Sequence, residues 1–240
     1  MKLNPIYRKD ELSSARSLTL PAVITGVNLV LAILVVINLF ATCMRAQNSG
    51  EIPYRDYLRV YYAAAAIEYV FLLLIAPLLS APAISGEREN GMLGLLLSTQ
   101  LGPWDIISGK LMSAMGTLLL LLITTFPQMA TAFLFGGITL MDAMGYILFL
   151  VVSDLYAVCI GLLSGVSTTT RGAAIAVSYT GVCTSMIIGI GAFFMHDAFY
   201  APWQNIYYWE VGIMLVLSVL CVFIAARLLS PKRGHRIRLR

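Results

Sequence analysis

The sequence predicts an all-α polytopic membrane protein with six transmembrane helices, plus one amphipathic helix before them and one short surface helix between the second and third. Three observations predict it. The 240 residues are 59% hydrophobic and only 12% charged, with mean hydropathy +0.84, whereas soluble domains carry about 25% charge. Six apolar runs are each long enough to cross the hydrocarbon. Lys and Arg are unevenly shared between the segments that separate those runs. The length leaves no room for a large soluble domain, so helix packing in lipid replaces a globular core.

Residues 1–17 are polar. Asn4 and Pro5 make a helix start, with a capping side chain followed by proline at the first helical position. Arg8, Lys9, Asp10, Glu11 and Arg16 then intersperse Ile6, Tyr7, Leu12 and Ala15, the pattern of a helix lying on the membrane surface. A signal peptide is not expected, because the polar lead is long and the next apolar run exceeds an h-region. The first span covers 20–42, and its Asn28 and Asn38 need partners on other helices. Residues 44–57, with Gly50 and Pro53, predict an exposed loop. The second span, 61–84, opens on Tyr61 and Tyr62 as interfacial anchors.

The third span, 107–135, contains Pro127, which is expected to kink it or to end its first part near Phe126. Gly136-Gly137 predicts a tight turn before the fourth span, 144–166. A polar linker, 167–172, leads to the fifth span, 173–195. A loop is expected at 196–204. His196, Trp203, Tyr207, Tyr208 and Trp209 form an aromatic, polar belt at the interface. The sixth span, 211–229, is followed by the basic tail 230–240. Next to a span, that tail is expected to face anionic lipid rather than nucleic acid.

Six spans place both termini on one side. Thirteen of the sixteen Lys and Arg residues fall in segments on that side, and only Arg45, Arg55 and Arg59 fall opposite. The positive-inside rule then predicts cytoplasmic termini, with the loop around 85–106 and the Arg171 linker also cytoplasmic.

The chain is organised around residues 82–110, where a polar knot, Glu87, Arg88, Glu89, Asn90 and Gly91, separates two membrane-length runs. Such a cluster must lie outside the hydrocarbon. Ser85 is expected to cap a short helix there. Glu87 and Glu89 then fall in its first turn, where the dipole favours negative charge. Met92, Leu95, Leu96 and Thr99 form its apolar face. A helix of this kind docks either another protein or the lipid surface.

GERENG (86–91) followed by LGLLLSTQLGPWDIISGKL (93–111) resembles the membrane-spanning permease subunit of ABC transporters of the ABC-2 (type V exporter) class. NPIYRKDEL (4–12), GLLS (161–164) and TRGAA (170–174) extend the resemblance over most of the chain. It implies a single ABC-2-type transmembrane domain over 1–240, with an elbow helix at 1–17 and a cytoplasmic coupling region at 85–102. The coupling helix would sit in a groove of a separate ATPase subunit. Glu87, Arg88 and Glu89 would make polar contacts there, Leu95 and Leu96 would fill an apolar groove with Thr99 on the same face, and Gly91 would permit a local bend. The implied partners are ABC ATPase subunits, a second permease copy or a sister permease, and membrane lipid. ATP and Mg would be bound by the ATPase, with no cofactor on this chain, and the setting would be the cell membrane.

Glu68 and Asp154 lie within spans two and four, roughly 10 and 15 Å deep at 1.5 Å per residue. Carboxyls at such depth are candidates for function. Three roles compete: lining a translocation path, bonding to tyrosines on neighbouring helices (Tyr61, Tyr62, Tyr69 and Tyr156 being candidates), and relaying protons. Gly181, Ser185 and Gly189 recur every four residues in span five, a flat strip for packing within one subunit or for a dimer contact.

Cys43, Cys159, Cys183 and Cys221 are scattered and predict neither a zinc site nor a disulfide framework. Gly109-Lys110 lacks the earlier glycine and the following Ser/Thr of a phosphate loop. No hydrolase motif is present, so the chain is not expected to be an enzyme. The rival functions are an intramembrane enzyme using Glu68 and Asp154 as an acid–base pair, and a scaffold subunit with no transport path.

Overall fold

The computed structural model describes residues 18–49, 54–92, 102–134, 140–199 and 203–229, together with Tyr7. Among these residues there is no strand. Six helices follow one another: α1 (Thr19–Ser49), α2 (Tyr54–Glu89), α3 (Pro103–Leu134), α4 (Leu140–Ser167), α5 (Arg171–Phe199) and α6 (Trp203–Leu229). Among the described residues, five candidate spans are long and apolar enough to cross a membrane: Leu20–Arg45, Ala64–Glu89, Pro103–Pro127, Ala143–Ser167 and Tyr208–Leu229. The chain is a multi-pass helical membrane protein. Apart from Tyr7, the expected surface helix at 1–17 lies outside the described residues, as do the coupling residues Leu95, Leu96 and Thr99, the Gly136-Gly137 turn and the tail 230–240.

Each helix outruns its apolar stretch at one end or both, and this corrects several expectations, among them the loop at 44–57, of which 44–49 belong to α1 and 54–57 to α2. Ser85 does not start a new helix. It is buried inside α2, and its Oγ donates to Ala81 O at 2.9 Å. Glu87 and Glu89 therefore stand in the last turn of α2, not in the first turn of another helix. The helix ends instead at glycine. Asn90 N donates to Gly86 O and Gly91 N to Arg88 O, and Gly91 takes φ +70°, a conformation that costs an L side chain roughly 1–2 kcal/mol. Of the two outcomes expected at Pro127, a kink or an end near Phe126, the end does not occur, since α3 continues to Leu134. His196 lies within α5 rather than in a loop.

Local chemistry sets the other ends. Pro103 takes the first position of α3, and Gly102 N donates to Asp105 Oδ2 at 3.0 Å, a carboxylate cap. Thr170 caps α5, its Oγ1 accepting from Ala173 N at 3.4 Å. Within α2, Pro77 removes a backbone donor. Nearby, Tyr179 Oη of α5 donates to Leu74 O at 2.6 Å, the kind of side-chain bond that lets proline sit inside a span.

Helix α4 is central and packs on α2, α3, α5 and α6. The core combines Leu72, Ala76 and Ile84 of α2, Ile107, Leu118 and Leu121 of α3, and Leu150, Ala157, Val158 and Leu162 of α4. The tightest approach is between α4 and α2. A Cβ on Gly165 would lie 2.5 Å from Ala81 O, and one on Gly161 would collide with Ser80 Oγ. These two glycines, four residues apart, form the small-residue strip on which two helices close. By contrast α1 packs chiefly on α2 and α3, and Val23, Leu29, Ile33, Val36, Ile37 and Phe40 remain exposed on it.

Gly165→Val should force α4 from α2 and cost about 1–3 kcal/mol or more. Gly212→Ala, with nothing within 4 Å of the added carbon, should be near neutral. The measurement is the thermal onset of thiol-dye reaction at buried Cys159, with the other three cysteines changed to Ser. An unchanged onset in Gly165→Val would refute the close packing.

Candidate functional site

Two polar clusters are built on this frame, one inside the bundle and one at its end. Inside, Glu68 of α2 is buried and accepts hydrogen bonds from Thr125 Oγ1 of α3 and, at 3.4 Å, from Tyr146 Oη of α4. Tyr146 Oη also lies 2.8 Å from Ala65 O, and Thr125 Oγ1 lies 2.9 Å from Leu122 O. Beside them, Asn28 Nδ2 of α1 donates to Thr124 Oγ1 at 3.1 Å. One polar layer thus touches four helices. Asn38 Nδ2 donates to Leu34 O of its own helix at 2.9 Å.

A tyrosine does partner Glu68: Tyr146, which was not among the candidates. Tyr69 packs against Phe149, ring centroids 5.3 Å apart. Tyr156 packs in a small cluster with Val152, Val211 and Met214. The side chains of Tyr61 and Tyr62 lie outside the described residues. Depth was the signal for Tyr146 and Thr125. Counted from the ends where α2 and α4 finish and α3 begins, Glu68, Tyr146 and Thr125 all lie about six turns in. Asp154 is buried on α4, and its Oδ1 has no hydrogen-bond partner among the described residues. No hydrogen bond joins it to Glu68 among the described residues. Gly181 faces α4 within the chain, where a Cβ would lie 2.9 Å from Ile160 Cγ2. The surroundings of Ser185 and Gly189 lie outside the described residues.

The second cluster is the polar knot. Successive residues on a helix point about 100° apart, so Glu87, Arg88 and Glu89 radiate from the end of α2 in three directions. Each meets a different element. Glu87 Oε1 accepts from Lys110 Nζ of α3 at 2.8 Å, with both side chains largely buried. Arg88 Nη1 donates to Thr168 O at 2.7 Å, just past the end of α4. That carbonyl belongs to the unpaired set at a helix C-terminus, where a cation is favourable. Glu89 Oε2 pairs with Arg171 Nε, the first residue of α5, at 3.3 Å. The Arg171 guanidinium also lies over Gly86, where a Cβ would sit 2.9 Å from Nε. Trp104 of α3 lies against Phe223 of α6, and Arg227 stacks on that ring 4.6 Å away, bringing α6 to the same end.

The two ion pairs differ in worth. Glu87–Lys110 is buried, and losing one partner strands the other at about 3–5 kcal/mol. Glu89–Arg171 is half exposed on both sides and contributes at most about 1 kcal/mol. Lys110 and the Thr168 carbonyl were not singled out as partners of the knot from sequence. A buried lysine opposite an acidic helix end was the available sign. Among the described residues, no group of three or more His, Cys, Asp or Glu could hold a metal ion. Compared with models of protein families and with curated proteins, the chain matches none.

Lys110→Met should destabilise the chain by about 3–5 kcal/mol, and adding Glu87→Gln should recover most of that loss. Denaturant unfolding in micelles measures both. Additive losses in the double variant would show that the pair is uncoupled.

Proposed function

We propose that the chain is the permease subunit of an ATP-driven exporter of the ABC-2 type, coupled to separate ATPase subunits. In this reading all six helices cross the cell membrane. Both termini and the charged end of the bundle face the cytoplasm, the first seventeen residues form the elbow helix, and residues after Gly91 form the coupling helix. Two copies, or this chain and a sister permease, would enclose the path. ATP and Mg would be held by the ATPases. Gly181, Ser185 and Gly189 would serve packing within the subunit or the contact between permeases.

One observation carries the reading. The segment that resembles the family's coupling region begins in the last turn of α2, and that turn is wired to α3 and to the α4–α5 turn. A force applied after Gly91 would act on a joint between helices rather than on a free loop. The same geometry revises residue roles within the proposal. Glu87, Arg88 and Glu89 are all engaged by partners inside the chain, so direct polar contact with an ATPase falls chiefly to exposed Asn90. Leu95, Leu96 and Thr99 keep the apolar docking role. Glu68 is engaged by Thr125 and Tyr146, which supports a role as a bond between helices.

The test is co-purification of the C-terminally tagged chain at native expression. An ATPase subunit should accompany the wild-type chain and be lost in Leu96→Asp, while both proteins insert in the membrane equally. Absence of any ATPase across several mild detergents would end the proposal.

A further inference from the structure

Three consecutive side chains at the end of α2 have three destinations, and two of these lie on the α4–α5 turn. Arg88 caps α4 through Thr168 O, and Glu89 holds Arg171 at the start of α5. The turn between them is stiff. Ser167 Oγ and Thr168 Oγ1 both donate to Ser164 O, at 3.0 and 2.8 Å, and Thr170 caps α5. A rigid turn gripped at both ends follows whatever moves the end of α2.

The charges carry a second message. Glu89 stands at the C-terminus of α2 and Arg171 at the N-terminus of α5. Each sits at the helix end whose dipole disfavours it. They are offset by facing one another, in a half-exposed pair that solvent reaches. Arg88 at the end of α4, by contrast, has dipole and hydrogen bond in agreement. The Glu87–Lys110 pair is buried and fixes α3 to α2. The joint therefore has one fixed contact to α3, one firm contact to α4 and one separable contact to α5.

We propose that Arg88, Glu89 and Arg171 are positioning residues that carry motion of the α2 end to the α4–α5 turn, making that turn a second output of the coupling region beside α3. This rests on the ATPase-coupled reading above.

The experiment is hydrogen–deuterium exchange by mass spectrometry on the full chain with its co-purified ATPase in lipid nanodiscs, with and without ATP and vanadate. In the wild-type complex, peptides covering 86–92 and 164–175 should both change exchange on ATP binding. In Arg88→Met and in Glu89→Arg, the response at 164–175 should be lost while that at 86–92 persists. Glu89→Arg with Arg171→Glu should restore it, because the reversed pair keeps the attraction and places each charge at the helix end that favours it. A merely structural role would change exchange equally with and without nucleotide. If 86–92 responds and 164–175 responds alike in all variants, this inference falls while the permease reading stands. If no ATPase accompanies the wild-type chain, both fall.

Discussion

The close approach of α4 to α2 governs the rest of the molecule. Gly161 and Gly165 leave no side chain between the helices, so the α4 backbone rests on Ser80 and Ala81. In lipid there is little hydrophobic gain from joining two apolar helices, and close packing must supply the attraction. That contact lies within two to three turns of both helix ends. It therefore sets where Thr168 emerges relative to Arg88, and where α5 begins relative to Glu89. A side chain at Gly165 would displace that whole end of the bundle.

The two polar clusters divide the work between them. The layer of Asn28, Thr124, Thr125, Glu68 and Tyr146 joins four helices deep in the bundle, where water cannot compete for the bonds. It favours one rotational setting of each helix. The knot at the bundle end grades its contacts by burial, from Glu87–Lys110 to Glu89–Arg171. An end joined by contacts of unequal strength opens at the weakest first. In the proposed reading, this is where movement enters the membrane domain. It also explains why acidic residues sit at the C-terminus of α2 despite its dipole: their partners belong to other helices.

Much of the fold is legible in the sequence. Apolar runs located the six helices of the described residues. The helix starts and stops moved because hydropathy reports the hydrocarbon, whereas the hydrogen-bond ladder continues beyond it until a cap intervenes. Ser85 shows the difference. Next to a charged knot it has the composition of an N-cap, yet the α2 ladder passes through it and its hydroxyl bonds back to Ala81 O. In the candidate site, Glu68 was legible as a buried carboxyl needing a partner. Tyr146 was not, because local sequence does not tell which helix lies alongside at the same depth.

By itself, then, the sequence determined that this is a helical, multi-pass membrane protein with a charged break after the second long helix, because burial in hydrocarbon is a property of composition along one chain. Tertiary structure alone decided what Glu87, Arg88 and Glu89 touch. Three neighbouring side chains on one turn diverge by about 100° each, and their partners lie on helices brought together by two glycines far along the chain. Pairing across such distances depends on packing geometry, which no local pattern of residues encodes.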